Sequence, residues 1–166
     1  MIALKCAIIS DQTELTYVCK NEHEPPLRNL KIMILEKIGK MVGLGYDAYI
    51  TNCDYGIPLW SSEIVVAMKM YNDIRLDIVI PYEEQTTNWI EEYRDRYYMV
   101  HEAADSVYLS SKRYCENCDE IAYQYMIDNS DAVLVFGKKS SDISAVSYAQ
   151  NKGRQIILID ITEGTF

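Results

Sequence analysis

The chain has 166 residues and a net charge of −9, with 25 acidic against 16 basic side chains; it lacks the basic stripe that grips a nucleic-acid backbone, so long DNA or RNA is excluded as a partner. Hydrophobic residues make up 49% and charged residues 25%, which excludes a disordered chain and suits one domain over residues 1–166. No apolar run reaches the roughly 18–20 residues that span a bilayer, and no cleavage-like segment follows the apolar N-terminus, so the expectation is a cytoplasmic protein with no membrane partner.

In chain order, "IALKCAII" (2–9) reads as a first strand. The stretch 10–26, "SDQTELTYVCKNEHEPP", is too long for an ordinary connection, and such loops at strand ends are often functional or disordered. Residues 27–42 then place Leu27, Leu30, Ile34, Ile38 and Met41 on one helical face. A second strand at 46–51 precedes a helical segment at 59–71 that aligns Leu59, Ile64, Val65, Met68 and Tyr71. A third strand at 74–80 leads to a helix at 89–104, with Trp89, Ile90, Tyr93, Tyr97, Val100 and Ala104 on one side. Glu91, Glu92, Arg94, Asp95 and Arg96 largely occupy the other side. Strands at 105–109, 131–136 and 155–159 alternate with weaker helical stretches at 117–128 and 142–152, the last closed by Gly153. Regular strand–helix alternation predicts an α/β, Rossmann-like, doubly wound and mainly parallel sheet of about six strands flanked by helices. The apolar runs 131–136 and 155–159 suit central strands buried on both faces.

The odd cysteine count of five, Cys6, Cys19, Cys53, Cys115 and Cys118, argues for reduced thiols. "CENC" at 115–118 has the spacing of half a zinc site, but a second pair or a paired histidine is missing. Metal is therefore not expected, and the two cysteines read as ordinary loop or helix-start residues. Among the 14 tyrosines, Tyr93, Tyr97 and Tyr125 fall on helical stripes and read as core or as the interface of a possible homodimer.

Several blocks together carry a resemblance. "GYDAYITNCDYGIPLWSSEIVVAMK", "LDIVIPYEEQTTNW", "AADSVYLSSKRY", "YMIDNSDAVLVF" and "SYAQNKGRQIILI" resemble, in order, the conserved segments of the YpsA-like branch of the SLOG superfamily. That superfamily also contains DNA-processing protein A and the LOG enzymes. The resemblance implies a Rossmann-like sheet that binds a nucleotide or a nucleotide-derived small molecule. Carried over by position, Gly56, Trp60 and Glu63 match the family's first loop and helix. The family's paired glycines are Asn52 and Cys53 here, and its acidic residue before the helix is Pro58. An Arg-Asn pair is replaced by Ala122 and Tyr123, and a Gly-Gly-Thr phosphate cradle by Ser140, Ser141, Asp142, Ile143 and Ser144.

The candidate ligand residues follow from where strands end, since open α/β sheets bind ligands at the carboxyl ends of their strands. In loop 51–57, Thr51 and Asn52 can donate hydrogen bonds beside a helix N-terminus, with Gly56, Trp60 and Glu63 next to them. The bland reading is a βα turn with Pro58 at the first helical position. After the third strand, Pro81 directs the chain, Tyr82 offers a stacking face and Gln85 a side-chain amide, while a core-capping Tyr82 is the alternative. After the fifth strand, Gly137 precedes Ser140, Ser141 and Ser144, which can hold a phosphate near Lys138 or Lys139, or simply cap a helix.

No GxSxG, P-loop or HExxH motif occurs, and the glycine-rich LOG signature is matched only at Glu63. The expected function is non-catalytic sensing or sequestration of a nucleotide-derived small molecule, with no cofactor. Two alternatives stay open. One is a structural or protein-interaction domain with a degenerate pocket, and the other a nucleotide N-glycosidic hydrolase with Glu63 in acid–base work.

Overall fold

Burial on both faces turns the apolar runs into a parallel sheet. In the computed structural model, residues 2–11, 22–138 and 143–162 are described. Among them the order is β1 (Leu4–Ser10), α1 (Pro25–Gly43), β2 (Tyr46–Thr51), α2 (Ile57–Met68), β3 (Arg75–Ile80) and α3 (Glu91–Ala103). It continues with β4 (Ser106–Leu109), α4 (Cys118–Asp128), β5 (Ala132–Gly137), α5 (Ser144–Asn151) and β6 (Gln155–Asp160). Most of the long loop read at 10–26 lies outside the described residues, at 12–21.

All strand pairs are parallel, and the sheet runs β4-β3-β2-β1-β5-β6. The chain winds outward from β1 to β4 and returns to the other side of β1 at β5. In open α/β sheets such a reversal, here between the carboxyl ends of β1 and β5, is where ligands are taken. Alternation along each strand sends its side chains to two cores. Cys6, Ile8, Tyr49, Leu76, Ile78, Leu134 and Phe136 meet the faces of α1, α2 and α3. Ala7, Ile9, Ile50, Val79, Val133 and Val135 meet α4 and α5 through Ala122, Met126, Ile127, Ala145 and Ala149.

The five apolar residues predicted on the first helix, Leu27, Leu30, Ile34, Ile38 and Met41, are its buried set. Tyr97 and Val100 are the buried residues of α3, whereas Ile90 is exposed because it stands before the helix begins. Arg96 departs from its expected solvent face and is held by two carboxylates, Glu63 on α2 and Glu22 ahead of α1. The run 155–159 is not central either. As β6 it forms a sheet edge, and Leu158 is 66% exposed. Its apolar residues therefore serve one face more than two. Among the described residues no helix is long and apolar enough to cross a membrane.

Cys6 and Cys53 are free and buried, but Cys115 and Cys118 are joined in a disulfide. The expectation of reduced thiols is corrected there. A CxxC spacing ahead of a helix brings both sulfurs to one side of a tight turn, and a bonded pair offers no thiolate to a metal.

Candidate functional site

Loop 52–56 leaves β2 at the mouth of the sheet, and its shape is held from within. The Thr51 hydroxyl lies 2.7 Å from that of Ser62, which donates to the Pro58 carbonyl at 2.7 Å. Thr51 Oγ1 also accepts from the Cys53 N–H at 3.2 Å, and Asn52 Oδ1 accepts from the Asp54 N–H at 3.2 Å. Cys53 has φ +51°. It stands where the resemblance puts a glycine, and it keeps a left-handed backbone that glycine would adopt more easily. Gly56 has φ +94° and ψ −134°, a region nearly closed to residues with a Cβ. It lets the chain reverse into α2, and Pro58 stands in that helix's first turn.

The loop after β3 locks onto the first. Gln85 is buried; its Nε2 donates to the Asn52 carbonyl at 3.2 Å, and its Oε1 accepts from the Tyr97 hydroxyl at 3.3 Å. Pro81 is buried and Tyr82 half-buried, with the Tyr82 ring edge-on to Tyr114 at 5.2 Å. Gly137 has a packing reason for its size, because a Cβ there would stand 2.7 Å from Ile143 Cδ1. Ser144 opens α5. Ser140 and Ser141 lie outside the described residues, so the phosphate reading of that loop is not tied to their placement.

Among the described residues six buried side-chain atoms lack a hydrogen-bond partner, and two of them, Asn52 Nδ2 and Ser10 Oγ, stand at the carboxyl ends of β2 and β1. Asn52 is 0% and Ser10 3% exposed. The Asn52 amide is close enough to Tyr123 to favour its ionised form, although Nδ2 completes no hydrogen bond. The Tyr123 hydroxyl itself donates to the Ser10 carbonyl at 3.4 Å. Leaving buried polar atoms unpaired costs free energy, so both atoms have capacity for a further hydrogen bond. Asp54 sits beside them. Burial raises its carboxyl from 3.8 to about 6, the negative charge of Asp119 adds to the rise, and the Tyr55 N–H opposes it. Burial also raises Asp119, and burial plus both carboxylates raises Tyr82 and Tyr123. The surroundings of Asp54 and Asp119 are therefore electronegative and rich in hydrogen-bond acceptors.

Trp60 and Glu63 belong to a neighbouring cluster. Trp60 is buried and its Nε1 donates to Glu22 at 3.0 Å. Arg96 grips Glu63 through Nε at 2.6 Å and Nη2 at 2.7 Å, and reaches Glu22 through Nη1 at 2.9 Å. Lys31 completes the set with a 2.7 Å contact to Glu22 and a place over the Trp60 ring. Burial works against an ionised Glu22, but Lys31, Trp60 and Arg96 outweigh it and hold the carboxyl below its usual range. Glu63 is thus a paired carboxylate rather than a free acceptor.

Between the two clusters lies an aromatic cleft of about 370 Å³ lined by Tyr55, Asn88, Trp89, Ile90 and Tyr93. Tyr55 meets Tyr93 edge-on at 4.7 Å and Trp89 at 5.9 Å. Sequence reading missed this cleft, and Arg96 with it. Their signal was the interleaving of Tyr93, Arg96 and Tyr97 on one helix, which assigns aromatics to the core and charge to solvent until a partner helix is placed. Tyr93, Tyr97 and Tyr125 all make ring contacts within the chain, Tyr125 stacked on Tyr108 at 4.1 Å.

A six-stranded parallel sheet wound both ways from β1 and flanked by helices defines an open Rossmann-like α/β protein. Within that class, a family model described as the YspA SLOG family (YpsA) matches residues 12–161, and the chain belongs to that family. A UPF0398 protein of Bacillus cereus strain B4264 is 31% identical over 142 residues, covering 82% of this chain and 77% of the relative. One from Bacillus thuringiensis strain Al Hakam is 30% identical over the same span and coverage. Among solved structures, DNA processing protein A from Helicobacter pylori, described for its single-stranded DNA binding mode, superposes with a TM-score of 0.59 at 14% identity. The match covers 93% of this chain and 64% of that one.

That neighbour overturns the exclusion of long nucleic acid made from composition. A protein of this fold binds single-stranded DNA, so the fold is compatible with such a partner. Net charge sums over the whole surface, whereas a strand can be held locally by backbone amides and by stacking on aromatic rings.

Proposed function

We propose that this chain binds a nucleotide-derived small molecule, without turning it over, in the crevice at the carboxyl ends of β1, β2, β3 and β5. The observation that supports the reading is the pair of buried, unpartnered polar atoms at the carboxyl ends of β2 and β1, Asn52 Nδ2 and Ser10 Oγ. They supply a donor and a hydroxyl where open α/β sheets take ligands. Asp54 and Asp119 supply acceptors suited to sugar hydroxyls, and the Tyr55, Trp89 and Tyr93 rings a surface suited to a base. Thr51, Gly56, Pro81 and Gln85 shape the loops that hold these groups in place.

The test is a thermal-shift and calorimetry panel of NAD, ADP-ribose, AMP, cyclic mono- and dinucleotides and a single-stranded oligonucleotide. Each mixture is also followed by chromatography for released base. A small molecule at about 100 times its dissociation constant stabilises the fold by about 2.7 kcal/mol, a shift of several degrees. Asn52→Ala is expected to weaken that ligand at least tenfold. Release of base would replace the reading with the hydrolase. A shift confined to the oligonucleotide would replace it with strand binding, and the absence of any shift would refute it.

A further inference from the structure

The ligand reading leaves the Cys115–Cys118 disulfide without a role. The bond closes a turn of only four residues just before α4, so it adds little to chain stiffness beyond what the turn already imposes. Its two sulfurs differ. Cys115 is partly exposed, whereas Cys118 is 1% exposed and is the first residue of α4. The Cys115 N–H points at Cys118 Sγ at 2.9 Å, and the Arg113 carbonyl lies 3.6 Å from the same sulfur. The N–H stabilises a thiolate on Cys118, as does the helix N-terminus. The carbonyl accepts an S–H once that sulfur is protonated. Both the bonded and the open form thus find partners in one geometry. Glu116, Asp119 and Glu120 flank the turn and oppose a thiolate, but the N–H acts on the sulfur by direct contact.

We propose that Cys115–Cys118 is a reversible redox-active site whose co-substrate is a dithiol reductant. A reductant thiolate attacks Cys115 Sγ, the accessible sulfur. The Sγ–Sγ bond breaks, and its electron pair leaves on Cys118 Sγ, where the Cys115 N–H receives it. The reductant's second thiolate then attacks its own sulfur in the mixed disulfide, and Cys115 departs as a thiolate. Both cysteines take protons from solvent. The reductant ends as a disulfide, oxidised by two electrons, and the pair ends as a dithiol, reduced by two. A low-molecular-weight disulfide drives the reverse course. Cys6 and Cys53 take no part, since burial raises both thiols to about 12.

The experiment uses the full native chain, with maleimide labelling read by peptide mass. After brief dithiothreitol treatment, the peptide holding Cys115 and Cys118 is expected to gain one label, on the partly exposed Cys115, and the Cys6 and Cys53 peptides none. Oxidised glutathione should then return the first peptide to zero labels. In Cys118→Ser, oxidised glutathione should leave a stable glutathione adduct on Cys115, while Cys115→Ser should gain at least tenfold less adduct on Cys118. Labelling of Cys115 only after unfolding would overturn the proposal. So would failure of the reduced pair to reclose, or equal adducts in the two variants. None of these readings depends on a ligand in the crevice.

Discussion

Asp54→Asn tests the electrostatics of the crevice directly. Burial and the Asp119 charge raise the Asp54 carboxyl from 3.8 to about 6, so the native state holds this proton more tightly than the unfolded chain. Between those two values the native state binds more protons, and stability contributed by this group falls as pH rises through the window. Above about 6 the cost is complete. It amounts to about 3 kcal/mol at neutral pH, as an upper bound because part of the side chain meets solvent. Asparagine keeps an oxygen for the Tyr55 N–H, which the native carboxylate accepts at 2.8 Å, and it carries no charge. Urea unfolding of both proteins across this pH range gives the difference in stability with other titrating groups largely cancelled. The variant should match the native protein near the lower value and exceed it by up to about 3 kcal/mol at neutral pH, with unchanged m-values. A difference that does not vary with pH, or a variant less stable at neutral pH, would refute the argument.

Gly56→Ala forces a Cβ into φ +94° and should cost about 1–3 kcal/mol in denaturant unfolding; a neutral result would mean that the loop relaxes to another turn. Arg96→Met leaves Glu22 and Glu63 facing each other without their shared cation. A loss of about 2–4 kcal/mol at neutral pH is expected, shrinking in acid as the two carboxyls protonate, and chemical denaturation at two pH values checks both statements. Trp60→Phe keeps the buried ring but removes the 3.0 Å hydrogen bond to Glu22, at an expected cost of about 1–2 kcal/mol. Ile34→Ala, in the fully buried α1 face, should cost about 2–5 kcal/mol and leave ligand affinity unchanged, separating packing from site effects by calorimetry.

The alternation of apolar runs with helical stripes was sufficient to expect an α/β sheet, and the matched blocks to expect the family. Both are local properties: strand burial writes itself as continuous Val, Ile and Leu, and a helix face as spacing by three and four, as from Leu27 to Met41. The βα turns were legible for the same reason, because Gly56 and Pro58 satisfy backbone demands made within a few residues. Interactions between distant segments were not legible. Arg96 and Glu63 are far apart in the chain and meet only when α3 packs on α2, so a charged residue beside an aromatic stripe read as solvated. Asp54 is an ordinary loop acid until the sheet buries it beside Asp119. Strand order likewise decided that β6 is an edge and that Ser10 and Asn52 stand at the ends of neighbouring strands. Composition set the total charge, but tertiary structure decided where that charge lies, because dielectric surroundings and distance are properties of the folded chain.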